Sequence, residues 1–312
     1  MSMKSMYGDN SKSYSTSKRI KSTLIFIFLV IISIICILPI YFLIINSTRD
    51  HVDISGMGVT LIPGSIEKFK ANWNLLFDEE FKYTADIFLG FKNSLIITIP
   101  STIFTIFFSC LTAYGLVVYD YKLKTPAYTF ILAVMMVPAT VTTTGYSQVI
   151  YKINRILIDI TGKEDLMIHG NILWVILPAV AAPAIVFFMR QYMKSTFPLD
   201  LVEAGRIDGS SEFRTFFTIA LPIMKPAIAV QSIFAFVSKW NDLYTPSILL
   251  SNNTKAKTLP MMISSVSNNR QQAHYASAAW LAISISVVPM IIVYIILSKF
   301  IIGGVTAGGV KE

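Results

Sequence analysis

The chain has 312 residues, 54% of them hydrophobic and only 14% charged, with a mean hydropathy of +0.62. A soluble domain carries charge on about a quarter of its residues, so the composition excludes a soluble globular protein and indicates a polytopic membrane protein. The net charge of +8 does not call for a nucleic-acid partner, because the basic residues sit at the edges of apolar runs, where they report topology.

Residues 1–23 form a polar tail with Lys4, Lys12, Lys18, Arg19 and Lys21 against one acid, Asp9. The apolar run that follows is too long for a signal-peptide core and lacks a small-residue cleavage site, so a retained anchor is expected. A bilayer core of about 30 Å takes about 20 apolar residues per helix. Six segments meet that standard: Leu24–Ile45, Leu95–Val118, Ala127–Ile150, Ile172–Met189, Phe216–Val237 and Ala276–Leu297. The third has no Asp, Glu, Lys or Arg, and the fifth has only Lys225, near one end, where it can snorkel to the interface. The predicted fold class is an all-α polytopic membrane protein of six transmembrane helices. Its membrane domain spans 24–302, with an outer loop at 46–92, a cytoplasmic loop at 198–215 and a cytoplasmic tail at 303–312.

Orientation follows from the short loops. Placing the N-terminal tail inside also places Lys122 and Lys124 inside, then Arg190, Lys194, Arg206 and Arg214 after the fourth span, and Lys299 and Lys311 at the end. The inside majority of basic residues is narrow, but long loops translocate largely regardless of charge, and the first outer loop is long. N-in and C-in is the expectation. That outer loop holds Trp73, Phe77, Phe81 and Tyr83 among mixed charges, which predicts a small folded cap; a second outer loop, Ser251–Gln272, is rich in Asn and Ser. Cys36 and Cys110 lie inside apolar runs and read as small core residues. His51, His169 and His274 are isolated, so no metal-ligand spacing exists.

The segment LVEAGRIDGSSEFRTFFTIALP, residues 201–222, breaks the apolar pattern on the predicted cytoplasmic side. Pro198 ends the incoming helix. Asp200 followed by Glu203 has the form of a capping box, which predicts a helix from Leu201. Gly209 is placed to end it in the left-handed conformation, and Ser210 or Ser211 to cap the next helix, with Glu212 in its first turn. Leu201, Ala204, Gly205 and Asp208 share a face by helical spacing, small in the middle. Pro222 and Pro226 are expected to bend the helix as it enters the membrane. A two-turn helix is not stable alone in water, so it packs either on its own chain as an ordinary connection or on a partner.

Glu203-Ala204-Gly205, three residues, Gly209, nine residues and Ile219-Ala220-Leu221-Pro222 resemble the "EAA" loop in the membrane subunits of ABC importers. Gly205 stands where that pattern has its second alanine. The chain is most similar to the maltose-type carbohydrate permeases, the binding-protein-dependent inner-membrane components. The likeness also rests on Phe91-Lys92-Asn93-Ser94-Leu95, Thr112-Ala113-Tyr114-Gly115-Leu116, Pro138, Phe188-Met189-Arg190-Gln191, Trp240-Asn241-Asp242 and the glycine-rich end from Gly303 to Lys311. The tail at 1–23 and the loop at 46–92 are poorly matched.

The resemblance implies a type I ABC importer permease fold in a bacterial-type cell membrane. Glu203, Ala204, Gly205, Arg206, Asp208, Gly209, Leu221 and Pro222 would form the coupling helix and its re-entry, docking in a cleft of an ATPase subunit. The glycine-rich end would reach towards the same subunits. The implied partners are a second permease subunit in a heterodimer, two ABC ATPase subunits, an extracellular solute-binding protein, a sugar (a di- or oligosaccharide) and membrane lipid, with no nucleic acid. No GxxxxGK[ST] loop, nucleophile elbow or HExxH motif occurs in the chain. It is therefore expected not to be an enzyme and to hold no cofactor, with ATP and Mg2+ bound by the partner ATPase subunits.

Candidates for the transport path are the polar residues within or bordering spans: Asn93, Tyr114, Gln148, Gln191, Gln231, Trp240, Asn241 and Asp242. Sugars are held by aromatic faces and planar amide or carboxylate hydrogen bonds, which draws attention to Trp240-Asn241-Asp242, although Trp at an interface is also a belt residue and Asn-Asp a helix cap. By position, Asn252 and Asn253 resemble a loop that reaches the binding protein. An ion-coupled secondary transporter would bury paired ionisable residues mid-span, and the spans hold essentially none. An intramembrane enzyme would need a catalytic constellation there. An ABC importer for phosphate, amino acids or peptides is set aside only by the wider resemblance.

Overall fold

The computed structural model describes residues 3–58, 60–162, 170–267 and 275–308. Among them every regular element is a helix. By internal contact the chain divides into two compact units, Met1–Leu75 with Gln272–Ser284, and Leu76–Gln271 with Ile285–Glu312.

The first unit begins with α1, Met3–Ser47, which runs through Pro39 without ending. Its stretch Lys18–Ser47 is long and apolar enough to cross a membrane. Polar side chains answer the last backbone carbonyls: Asn46 Nδ2 donates to Phe42, Ser47 Oγ to Ile44 and Thr48 Oγ1 to Ile45. Asp50 caps α2, His51–Met57, by accepting from the Asp53 amide, and Gly58 closes it at φ +66°. In α3, Ile66–Leu75, Lys68 Nζ lies 3.0 Å from Asp50 and 2.5 Å from Asp53. The buried Asn72 amide donates to the carbonyls of Ser47 and Arg49 at 2.9 and 2.8 Å, tying α3 to the end of α1.

The second unit is organised on α5, Ile87–Val118, which follows the short α4, Glu79–Thr84. Of the four aromatics expected to build one outer cap, only Phe81 is buried, and Tyr83 is 96% exposed. Helices α2 and α3 fall in the first unit and α4 in the second, so residues 46–92 are shared between the two units. Along α5 a buried face of small residues recurs at three- and four-residue spacing: Gly90, Ser94, Thr98, Ser101, Thr105 and Ser109. Small faces let helices approach closely where apolar surroundings supply no hydrophobic drive. Thr105 Oγ1 donates to the Ala179 carbonyl, and Ser94 Oγ accepts from the Leu259 amide.

The third expected span is broken. Helix α6, Lys124–Met135, and α7, Ala139–Thr161, meet at 100°. The break falls at Met136-Val137-Pro138, where proline offers no amide and disfavours helix in the residue before it. At 1.5 Å per residue α6 is about 18 Å long, short of the bilayer core. The fourth expected span comprises α8 (Leu173–Ile176), a tight turn at Leu177–Val180, and α9 (Pro183–Thr196). Beyond it lie α10, Asp200–Ile207, and α11, Glu212–Thr215. The fifth is also bent, by 80° at Met224. A widened π-turn at Phe216–Ala220 and α12, Leu221–Ile223, precede the bend, and α13, Lys225–Trp240, follows it, with Pro222 and Pro226 on either side as expected. Helices α14, Tyr244–Leu249, and α15, Leu259–Ser267, lead to α16, Ala276–Gly308.

Among the described residues four helices are thus long and apolar enough to cross a membrane, or up to six spans if each bent pair counts as one. Helix α16 continues through Gly303–Gly308, into the stretch assigned to the C-terminal tail. Extending a formed helix adds one backbone bond per residue, which offsets the glycine cost of about 1 kcal/mol. Residues 309–312, with Lys311, and the histidines His169 and His274 lie outside the described residues.

A Cβ at Gly90 would stand 2.8 Å from Met262 Cγ and 3.1 Å from Leu259 Cα, so α15 lies almost on the α5 backbone. Gly90→Val is expected to cost about 1–3 kcal/mol by overpacking. Thermal unfolding in detergent, followed by labelling of the buried Cys110 in a Cys36→Ser background, measures it; an unshifted midpoint would show that the helices separate freely.

Candidate functional site

The loop after α9 is built by its own backbone. The Phe197 amide donates to Met193, Pro198 stops the helix, and α10 starts one residue earlier than expected, at Asp200. The predicted capping box does not form: Leu199 occupies the cap with no side-chain bond, and the first-turn amides of Leu201 and Val202 donate to the Pro198 and Leu199 carbonyls. Asp200 has moved into the first turn, where its charge still suits the positive helix end. The exit is as expected. Gly209 takes φ +75°, its amide donates to Arg206 and the Ser210 amide to Gly205 at 2.9 Å, the paired bonds of a Schellman cap. Ser211 then caps α11 by accepting from the Arg214 amide.

The four residues placed on one face are divided. Leu201, Ala204 and Asp208 are exposed, whereas Gly205 is buried with Val202. A Cβ at Gly205 would meet Thr215 Oγ1 and Ile219 Cδ1, each at 3.5 Å, so its small size serves packing of α10 on its own chain. Glu203 is exposed, and Leu199, Leu201, Ile207 (86% exposed) and Phe213 (68%) form an apolar rim around the loop. Inward, Val202 and Phe216 join a buried cluster with Tyr114 of α5, Met189 and Met193 of α9, and Met224 at the bend. Leu221 packs against that cluster and Pro222 is exposed.

One functional candidate was missed. Glu212 had been read only as a first-turn acid, and it accepts from Arg206 Nε at 2.8 Å on Oε1, from the Tyr119 hydroxyl at 2.8 Å on Oε2, and from the Tyr114 hydroxyl at 3.4 Å on the same oxygen. The Arg206 guanidinium lies 5.9 Å from the Tyr119 ring centroid. Burial, then the bond to Glu212, raises the Tyr119 phenol and keeps it a neutral donor. A cavity of about 240 Å³ lies beside this group, lined by Leu111, Tyr114, Gly115, Tyr119 and Glu212 with Phe213 and Phe216. The signal was the acid six residues after Arg206; its partners on α5 could not be paired from spacing.

The transport-path candidates are not gathered at one place. Trp240 is only 1% exposed; its indole donates to the Ser286 carbonyl at 2.9 Å, and its ring stacks on Phe236 and meets Phe91 edge-on. One face of the ring is thus taken up by packing, and the side chain is buried. Asp242 accepts from the Thr245 amide at 3.0 Å, just before α14, and Asn241, exposed, lies 3.5 Å from the Met290 sulfur. Tyr114 is committed to the loop, and the Asn93 amide clamps the carbonyls of Lys255 and Lys257 at 2.8 and 2.9 Å. Gln148 and Gln191 are exposed and Gln231 is half-buried. Asn253 donates to Gly170 and caps the turn at Thr254–Ala256, while Asn252 is exposed. Among the described residues no group of His, Cys, Asp and Glu could hold a metal ion.

The family described as "Binding-protein-dependent transport system inner membrane component" matches residues 13–306. The chain belongs to this family. It is 34% identical over 290 residues to an arabinooligosaccharides transport system permease protein of Bacillus subtilis (strain 168), covering 91% of this chain and 94% of that one. A melibiose/raffinose/stachyose import permease protein of the same organism is 28% identical, with 88% and 91% covered, and its maltodextrin transport system permease protein is 27% identical, with 95% and 99% covered. Among solved structures, a chain of a bacterial ABC transporter involved in the import of the acidic polysaccharide alginate superposes with a TM-score of 0.68 at 19% identity, over 91% of this chain and 97% of that one. That likeness shows the fold. This permease is a multi-pass membrane protein with the all-helical architecture of an ABC importer subunit.

Gly209 has open space around its Cα, so its requirement is conformational. Gly209→Ala is expected to cost the loop about 1–2 kcal/mol, and Gly209→Asn less, since Asn tolerates the left-handed region. Amide exchange over residues 201–214 should accelerate in that order; equal protection in all three proteins would show that the Schellman turn is not needed.

Proposed function

We propose that this chain is the membrane-spanning half of an ATP-driven carbohydrate importer, taking di- or oligosaccharides. Relatives that match nearly the whole chain include permeases named for arabinooligosaccharides, for melibiose, raffinose and stachyose, and for maltodextrin, and this carries the substrate class. In this reading six spans lie N-in and C-in, each bent pair making one span. The chain forms the translocation path with a second permease subunit, and an extracellular binding protein delivers the sugar. Two ABC ATPase subunits bind ATP with Mg2+ and hydrolyse it, and the permease has no catalytic part in that step.

The exposed side of α10 supports docking. Glu203 and Ala204 face outward within the apolar rim of Leu199, Leu201, Ile207 and Phe213. A free rim of that kind is a recognition surface, with large side chains for contact area and a carboxylate for a charge-assisted bond. Gly205 and Gly209 serve the same surface indirectly, the first by seating α10 on the chain and the second by turning it. Arg206 and Asp208 border it.

The test is co-expression with the ATPase and permease partners, reconstitution with the binding protein, and a screen of arabino-, galacto- and gluco-oligosaccharides for stimulated ATP hydrolysis. Stimulation by at least one oligosaccharide is expected, and Glu203→Lys should abolish either association or stimulation. Stimulation by an amino acid, peptide or phosphate alone would overturn the carbohydrate reading. Uptake driven by an ion gradient without ATP would overturn the ABC reading altogether.

A further inference from the structure

We propose that the Glu212 carboxylate is the joint through which movement of α10 reaches the inner end of α5, with Arg206 and Tyr119 as its two arms. The proposal rests on the coupling role given to α10 above and adds the residue that transmits it.

The geometry has three parts. First, both carboxylate oxygens are used, and towards different elements. Oε1 takes the Arg206 Nε bond from α10, and Oε2 takes the hydroxyls of Tyr119 and Tyr114 from the end of α5. A carboxylate held from both sides fixes the direction between those elements, which a single bond would not.

Second, the Schellman bonds hold the turn itself but do not reach α5. The Gly209 and Ser210 amides close α10 onto Arg206 and Gly205. The Arg206–Glu212 bond spans that glycine turn and continues, through the other carboxylate oxygen, to the end of α5. Without it, α10 and α5 share no side-chain bond through Glu212.

Third, the joint is placed where it can give. The side chains of Arg206 and Glu212 are 43% and 40% exposed, and ion pairs this exposed add little to stability. Such a pair contributes little to folding and can reform at low cost as elements shift. The cavity of about 240 Å³ beside Tyr114, Tyr119 and Glu212 leaves the rings room to follow. Weak stabilisation with bidirectional geometry marks a positioning residue, one that acts through the elements it connects.

Two measurements test the joint. In the chain with Cys36→Ser, spin labels at Ile207→Cys on α10 and Tyr121→Cys beyond α5 report their separation. Glu212→Ala should broaden that distribution with the unfolding midpoint kept. Arg206→Glu with Glu212→Arg should narrow it again, and Tyr119→Phe should broaden it less than Glu212→Ala. An unchanged distribution in Glu212→Ala would overturn the proposal without any partner present.

In the reconstituted transporter, Glu212→Ala should assemble and hydrolyse ATP while solute moved per ATP falls at least about fivefold, the lower end of ordinary coupling energies. The charge swap should restore part of it. A Glu212→Ala complex that transports per ATP like the original, or one that fails to assemble, would overturn the joint. Failure of the unmodified chain to engage an ATPase would instead overturn the proposed function and leave the spin-label result standing.

Discussion

Close approach to α5 is the constraint on which the rest of the second unit depends. Its small buried face, from Gly90 through Ser94, Thr98, Ser101 and Thr105 to Ser109, leaves room for α9, α13 and α15 to pack on one helix. In hydrocarbon, apolar side chains gain nothing by leaving lipid, so helix association draws on packing and on the few polar bonds available. Those bonds are present at both ends: Asn93 and Ser94 hold the segment around Lys255–Leu259, and Thr105 holds Ala179. With α5 fixed in this way, Tyr114 and Tyr119 arrive at its C-terminal end as firmly placed groups, and the loop after α9 has something rigid to bear upon.

That loop shows packing and electrostatics dividing the work. Burial of Val202 and Phe216 with Tyr114, Met189 and Met224 supplies the adhesion. At about 25 cal/mol per Å² of apolar surface removed from water, even two such side chains outweigh a half-exposed ion pair. The Arg206–Glu212 bond therefore adds direction more than strength. The same division explains why Glu203 and Ile207 are left outward: the loop satisfies its inner face from its own chain and still presents an unpartnered rim.

Much of this was legible in the sequence, and the failures have a common cause. The apolar runs, Gly209 as a left-handed cap, Ser211 as the next cap and the bend at Pro222 and Pro226 are all local, decided by residue chemistry within a few positions. The capping box at Asp200 failed because Pro198 already closes the preceding turn tightly enough for Leu199 to start the helix. The break at Pro138 was hidden because hydropathy is blind to bending, so α6 and α7 read as one run. The contacts of Trp240 and Glu212 were not legible because their partners, Ser286 and Tyr119, lie 46 and 93 residues away in sequence, and no spacing rule reaches that far.

The bends give the loop its mechanical logic. Between the turn at Gly209 and the break at Met224 lies a short stretch, Glu212–Ile223, widened by the π-turn at Phe216–Ala220. Under the proposed coupling role, a displacement entering at α10 would cross two changes of chain direction before α13. Each is backed by side chains. Glu212 spans the first, with Arg206 on one side and the tyrosines of α5 on the other. Met224, fully buried against the same cluster as Val202 and Phe216, backs the second. A packed cluster has few intermediate arrangements, because interiors at crystal-like density do not deform continuously. Under the proposed coupling role, movement at the loop would therefore shift the C-terminal ends of α5 and α9 and the start of α13 together or be refused.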